Sequence, residues 1–189
     1  MIDKRIAVER IDRWLNGIEA CGIVLVLTMA FGFQYLFNEL PCPLCLLQRI
    51  GFTIVALGFL LNIRFGLRPS HYAIALLGAL FTAFVALRQV ALHILPGDPG
   101  YGSAIFGLHM YTWSFILSMV IVIFTIMILG SDLQYLPVSK RRPPKVFKAI
   151  SHIIFVVVLG LTGLNFFSVL AECGLNQCPD SPTQYLYWF

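Results

Sequence analysis

Pro41-Cys42-Pro43-Leu44-Cys45-Leu46-Leu47-Gln48-Arg49 runs directly into Ile50-Gly51-Phe52-Thr53-Ile54-Val55-Ala56-Leu57-Gly58-Phe59-Leu60-Leu61. Two thiols spaced Cys-x-x-Cys therefore stand at the start of a stretch too apolar for a soluble helix. A transmembrane helix needs about 20 mostly apolar residues; residues 46–63 supply one, and 20–40, 71–95, 110–130 and 149–171 supply four more. The 189 residues are 59% hydrophobic and 12% charged, with a mean hydropathy of +0.85, outside the range of soluble domains. The fold class read from this is all-α integral membrane: a four-helix transmembrane bundle plus a fifth transmembrane helix. The first apolar run is too long for a signal-peptide core and no small-residue cleavage site follows it, so it reads as a retained span, with the N-terminus as written.

Basic residues set the expected orientation. Lys4, Arg5, Arg10 and Arg13 precede the first span, Arg64 and Arg68 lie between the second and third, and Lys140, Arg141, Arg142, Lys145 and Lys148 lie between the fourth and fifth. These alternate segments hold eleven of the thirteen basic residues, which places the N-terminus in the cytoplasm and the C-terminus outside. The net charge of +4 is then a topology signal that also suits anionic lipid, and it gives no reason to expect nucleic acid. The expected parts are an interfacial segment at 1–19 with Ile6, Val8, Ile11, Trp14 and Leu15 on one helical face, the bundle at 20–130, a Pro-containing linker at 131–148, the fifth helix at 149–171 and an outer tail at 172–189. The outer segments, Asn38 to Cys45, Pro96 to His109 and the tail from Glu172, are where chemistry is expected.

Four of the five cysteines form two pairs, Cys42 with Cys45 and Cys173 with Cys178. Both pairs fall outside by topology, where disulfides persist. Helix N-terminal amides and the helix dipole favour a thiolate at Cys45, the species that attacks disulfides and quinones. Arg49 lies one helical turn further on. A charge just inside the apolar layer either snorkels to the headgroups or has a partner, such as that thiolate or a reduced quinone oxygen. A structural staple between Cys173 and Cys178 and a zinc site of all four cysteines remain open, although no partners for structural-metal ligands are evident and no metal is assigned. Cys21 reads as a small apolar packing residue.

From Pro41 to Arg49 the chain resembles the DsbB family, the bacterial disulfide bond formation protein B. Arg88-Gln89-Val90-Ala91-Leu92-His93-Ile94-Leu95-Pro96 is similar to that family's segment at the end of its third span, and Gly107-Leu108-His109-Met110-Tyr111-Thr112-Trp113 to its entry into the fourth. The resemblance covers roughly residues 15–130. It implies a bacterial inner-membrane protein with its site on the periplasmic face, a four-helix bundle binding ubiquinone or menaquinone beside Cys42 and Cys45, and a periplasmic thioredoxin-like, DsbA-type partner. It also suggests quinone-pocket roles for Arg88 and Gln89, beside which Arg49 and His93, by their positions, are further candidates to contact the quinone. One departure stands out. The family's second cysteine pair lies between spans three and four, whereas here 96–109 has none, and Cys173 and Cys178 in the tail take its place.

The expected reaction is thiol–disulfide exchange from the partner through Cys173–Cys178 and Cys42–Cys45 to the quinone, with Arg49 stabilising the anions. Reach along the tail suggests that Cys178 meets the partner and Cys173 exchanges with Cys42. His93 and His109 are candidates for proton transfer against an ordinary interfacial role, and none of the four histidines lies at mid-membrane, which disfavours a b-type haem. Tyr185, Tyr187, Trp188 and Phe189 read as an interfacial anchor or the cap of a partner surface. The rival reading is a non-enzymatic membrane assembly or transport protein with structural disulfides or a metal site.

Overall fold

The structure, a computed structural model, describes residues 2–131, 135, 145–179, 182 and 184–187, with the backbone alone at 2–9 and 145. Most of the 131–148 linker lies outside those residues, as do Met1, Trp188 and Phe189. The described residues form five helices, α1 (Ile2–Leu36), α2 (Pro43–Phe65), α3 (Pro69–Leu92), α4 (Met110–Leu129) and α5 (Lys145–Cys173), with one small hairpin, β1 (Ala104–Ile105) with β2 (Leu108–His109), between α3 and α4. All five contain a segment long and apolar enough to cross a membrane, so the fold is all-helical and suited to a bilayer.

Local chemistry sets the ends of α2. Cys42 is the N-cap, its Sγ accepting the Cys45 N–H at 3.2 Å, and Pro43 occupies the first turn, where a missing N–H costs nothing. The helix stops at Gly66, whose φ of 101° is cheap for a residue without Cβ. Pro69 then starts α3 in the same way.

α2 is the centre of the assembly, packing on α3 most extensively and also on α1 and α5, while α4 packs on α3. Lipid offers no hydrophobic drive for this association, so close van der Waals fit carries it. The seam between α2 and α3 is lined by small residues. A Cβ on Gly58 would sit 2.6 Å from Ala75 N, and one on Gly78 would sit 2.8 Å from Val55 N. A larger residue at either site would force the backbones apart.

The expected interfacial segment at 1–19 is not a separate helix; α1 is continuous from Ile2 to Leu36. No proline interrupts it, and Arg13 and Asn16 have partners inside the bundle. Asn16, fully buried, donates to Tyr72 Oη at 2.8 Å and accepts from Asn62 at 2.9 Å, and Arg13 donates to the Ile63 carbonyl at 3.1 Å. Ile11, Trp14 and Ile18 face outward. Cys21 is exposed too, in contrast to the packing role expected for it, because Ala20, Ile23 and Leu27 form the buried face of α1.

Candidate functional site

The start of α2, the end of α3 and the ends of α1 and α5 meet at one end of the bundle. Gln89, 1% exposed on α3, spans both sulfurs of the Cys-x-x-Cys pair. Its Nε2 donates to Cys42 Sγ at 3.1 Å and lies 3.6 Å from Cys45 Sγ, and its Oε1 accepts from Gln48 Nε2 at 2.8 Å. Both cysteines are free thiols. The two sulfurs are not equivalent: sharing of the proton with the Cys45 side chain, then burial, hold Cys42 well above the ordinary thiol range. Cys42 therefore prefers to be a thiol.

Arg49 does not snorkel. Its Nη1 donates to Gln34 Oε1 at 2.6 Å, its Nη2 to the Ala30 carbonyl at 3.0 Å, and its Cζ lies 4.4 Å from the centre of the Phe31 ring. α1 thus satisfies a buried cation with a side-chain amide, a helix carbonyl and an aromatic face, close enough to Cys45 for the two charges to act on each other. Gln34 in turn donates to Ser168 Oγ on α5 at 3.1 Å and to Tyr185 Oη of the tail at 3.0 Å.

That network puts the second cysteine pair at the same end. Cys173 and Cys178 form a disulfide, with Cys173 2% exposed and Cys178 half-buried. Gly174 makes the turn at φ 61°, where a Cβ would strike Tyr187, and Tyr187 N–H donates back to the Ala171 carbonyl at 3.0 Å. Tyr185 is half-buried and bonded to Gln34, while Tyr187 is exposed.

A pocket with about 710 Å³ of empty space, its open mouth included, lies between α1, α2 and α4. Val26, Leu27, Phe33 and Phe52 give it apolar walls; Cys45, Gln48 and Arg49 bring polar groups to it. Tyr101 closes one side by donating to the Leu40 carbonyl at 2.6 Å, and Glu39 accepts from Ser103.

The candidate residues divide into two groups. Cys42, Cys45, Arg49 and Gln89 come together, and Gln34 links Arg49 to Ser168 and Tyr185 of the helix and tail that carry the Cys173–Cys178 disulfide. Arg88 is exposed and does not line the pocket. His93 stacks on Tyr111 with ring centres 5.7 Å apart and contacts Asp98 at 3.1 Å, so it backs a pocket wall without facing the sulfurs. Sequence reading missed Gln34, Gln48 and a polar stripe on α5, Asn165, Ser168 and Glu172, all buried. The signal was present: polar residues at i, i+3 and i+7 of an apolar span mark one functional face. Among the described residues, no group of three or more His, Cys, Asp or Glu side chains is arranged to hold a metal ion.

The family model for disulfide bond formation protein DsbB matches residues 12–102. Relatives named disulfide bond formation protein B are 32% identical over 93 residues in Acinetobacter baylyi (46% of this chain, 53% of that protein) and 40% identical over 97 residues in Chromobacterium violaceum (44% and 57%). The chain thus spans little more than half the length of these two. Another from Hahella chejuensis is 33% identical over 110 residues, covering 53% of this chain and 67% of the relative. No solved structure matches. The match takes in the paired thiols and the α3 glutamine that spans them, and on this likeness the chain belongs to the DsbB family of disulfide bond formation proteins.

Proposed function

We propose that the chain is a thiol:quinone oxidoreductase of the bacterial inner membrane, N-terminus in the cytoplasm, that oxidises a periplasmic thioredoxin-like, DsbA-type dithiol protein. The electron pair passes through Cys173–Cys178 and then Cys42–Cys45 to ubiquinone or menaquinone. The observation that carries this reading is the hydrogen-bonded path from Arg49 through Gln34 to Ser168 and Tyr185, which links the helix that carries the Cys-x-x-Cys pair to the helix and tail that carry the disulfide. The family relationship and the alternation of basic segments support it.

A quinone head suits the pocket, because flat apolar walls end at Arg49 and Gln48, both able to donate to a carbonyl oxygen, beside Cys45 Sγ. A bound quinone supplies an acceptor for two electrons and two protons.

The cysteines do the rest. A partner thiolate attacks Cys178, the more accessible tail sulfur; the Cys173–Cys178 bond breaks, and the partner's second thiol releases Cys178. Cys173 then attacks Cys42 of an oxidised Cys42–Cys45 pair, freeing Cys45 as a thiolate beside Arg49. Attack of Cys178 on Cys173 restores the tail disulfide and frees Cys42.

The test mixes the purified protein with a reduced thioredoxin-like protein and ubiquinone and follows thiol loss and quinone reduction together. One quinone reduced per dithiol consumed is expected, abolished by Cys45→Ser. Disulfides that survive unchanged in the presence of both substrates would return the chain to the assembly or transport reading.

A further inference from the structure

Asn165, Ser168 and Glu172 share one face of α5, and that face is turned toward the Cys-x-x-Cys helix. Asn165 Nδ2 donates to the Leu46 carbonyl at 3.5 Å, and Ser168 Oγ accepts from Gln34, which also holds Arg49. Glu172 follows one turn beyond Ser168, immediately before Cys173. It is 1% exposed, and its Oε1 has no hydrogen-bond partner among the described residues. Arg49 is committed to Gln34 and Ala30, and no ion pair joins it to Glu172. An unpaired buried carboxyl oxygen is costly to keep. It is also free to accept or return a proton without breaking a bond.

We propose that Glu172 is the proton carrier of the internal exchange, taking the proton of the Cys173 thiol so that its thiolate can attack Cys42, and returning that proton to the Cys42 sulfur on release. This rests on the electron path proposed above. The step balances: Cys173 Sγ bonds to Cys42 Sγ as the Cys42–Cys45 bond breaks, and Cys45 leaves as a thiolate. Cys178, its proton lost to water, then attacks Cys173, re-forming the tail disulfide and expelling Cys42, which takes the proton from Glu172. Two electrons move from the tail pair to Cys42 and Cys45. One proton stays on Cys42 and one goes to solvent. The preference of Cys42 for the thiol form agrees with this destination. The other titratable groups near enough to act on Glu172 are Arg49 and Cys45 from α2, Tyr101 from the loop after α3, and Tyr185 from the tail.

The test needs no quinone. Quinone-free protein with Cys42–Cys45 oxidised is mixed with a reduced thioredoxin-like protein, quenched at intervals and alkylated, and the tail and Cys-x-x-Cys thiols are counted separately by mass spectrometry. Glu172→Gln should leave opening of the tail disulfide unchanged but slow the appearance of alkylated Cys45 about a hundredfold near neutral pH, the range of general acid–base catalysis. The deficit should shrink as solvent base replaces the carboxylate at higher pH. Glu172→Asp should keep the wild-type pH profile with a smaller loss. Glu172→Gln exchanging within about twofold of wild type from about pH 6 to about pH 9 would overturn the proposal. So would Gln and Asp variants slowed equally at every pH, the mark of a packing role. A wild-type tail that opens and never exchanges with Cys42–Cys45 overturns the electron path and the carrier together, whereas a competent wild type beside an unaffected Glu172→Gln overturns the carrier alone.

Discussion

The two ends of the bundle both bury polar side chains, and they use them in opposite ways. At the α2–α3 turn, Asn62 donates to Asn16, accepts from Arg68 N–H at 3.1 Å and lies 3.1 Å from His71 Nδ1, while Asn16 also reaches Asp12 O and Tyr72. That network is nearly closed, with Asp12 Oδ2 left over, and no pocket residue belongs to it. At the cysteine end the network is as dense, but it stops at two sulfurs, a guanidinium facing a pocket, and unpaired oxygens on Asn165 and Glu172. A closed network fixes how helices pack. An open one keeps donors and acceptors for a ligand or a proton.

That contrast can be broken by substitution. The largest effect expected is on stability: Asn62→Ala removes the hub of the closed network, with three hydrogen bonds at about 0.6 kcal/mol each in a membrane protein plus the polar groups left behind. Thermal unfolding in detergent should show a loss of about 2 kcal/mol, with thiol exchange in the surviving folded protein unchanged. An equal loss of exchange activity would mean that the two ends are not separable.

Arg49→Ala should do the reverse. The apparent KM for quinone should rise about tenfold, equivalent to about 1.4 kcal/mol, while exchange between the partner and the tail disulfide proceeds at the wild-type rate. Unchanged quinone kinetics would remove Arg49 from the pocket's function.

The smallest effect belongs to the loop over the site. Asp98 accepts from Gly100 N–H at 2.8 Å and contacts His93, and these hold its carboxyl below the ordinary range. A lowered native value means a contribution that is complete above the unfolded value of about 3.9 and is lost as pH falls through the native one. Limited proteolysis within 96–109 should therefore be flat from neutrality to about pH 5 and increase only in stronger acid. Asp98→Asn should make cleavage independent of pH in that window; a variant that keeps the wild-type rise in acid would overturn this assignment.

The cysteine end was partly legible in the sequence because Cys-x-x-Cys, Arg49 and Gln89 sit on short motifs at span boundaries, where hydropathy changes sharply. Gln34, Asn165 and Glu172 were harder to read. Each is a lone polar residue in a long apolar run, and its meaning depends on which way α1 and α5 are rotated about their axes, a quantity set by packing and lost when hydropathy is averaged over a window. The continuity of α1 was hidden for the same reason. Asp12, Arg13 and Asn16 look like an aqueous segment until Tyr72, Ile63 and Asn62 are known to face them.

The glycine-lined seam between α2 and α3 has a consequence for how the protein meets different membranes. Bilayers vary in thickness, and helices answer by tilting. Backbones that approach as closely as those at Gly58 and Gly78 cannot separate or slide past one another freely, so α2 and α3 tilt as one body. Gln89 and the two cysteines all ride on that body. The spacing between amide and sulfur is thereby insulated from acyl-chain length, and lipid composition acts on the less tightly joined helices, α1, α4 and α5, that complete the pocket and carry the tail.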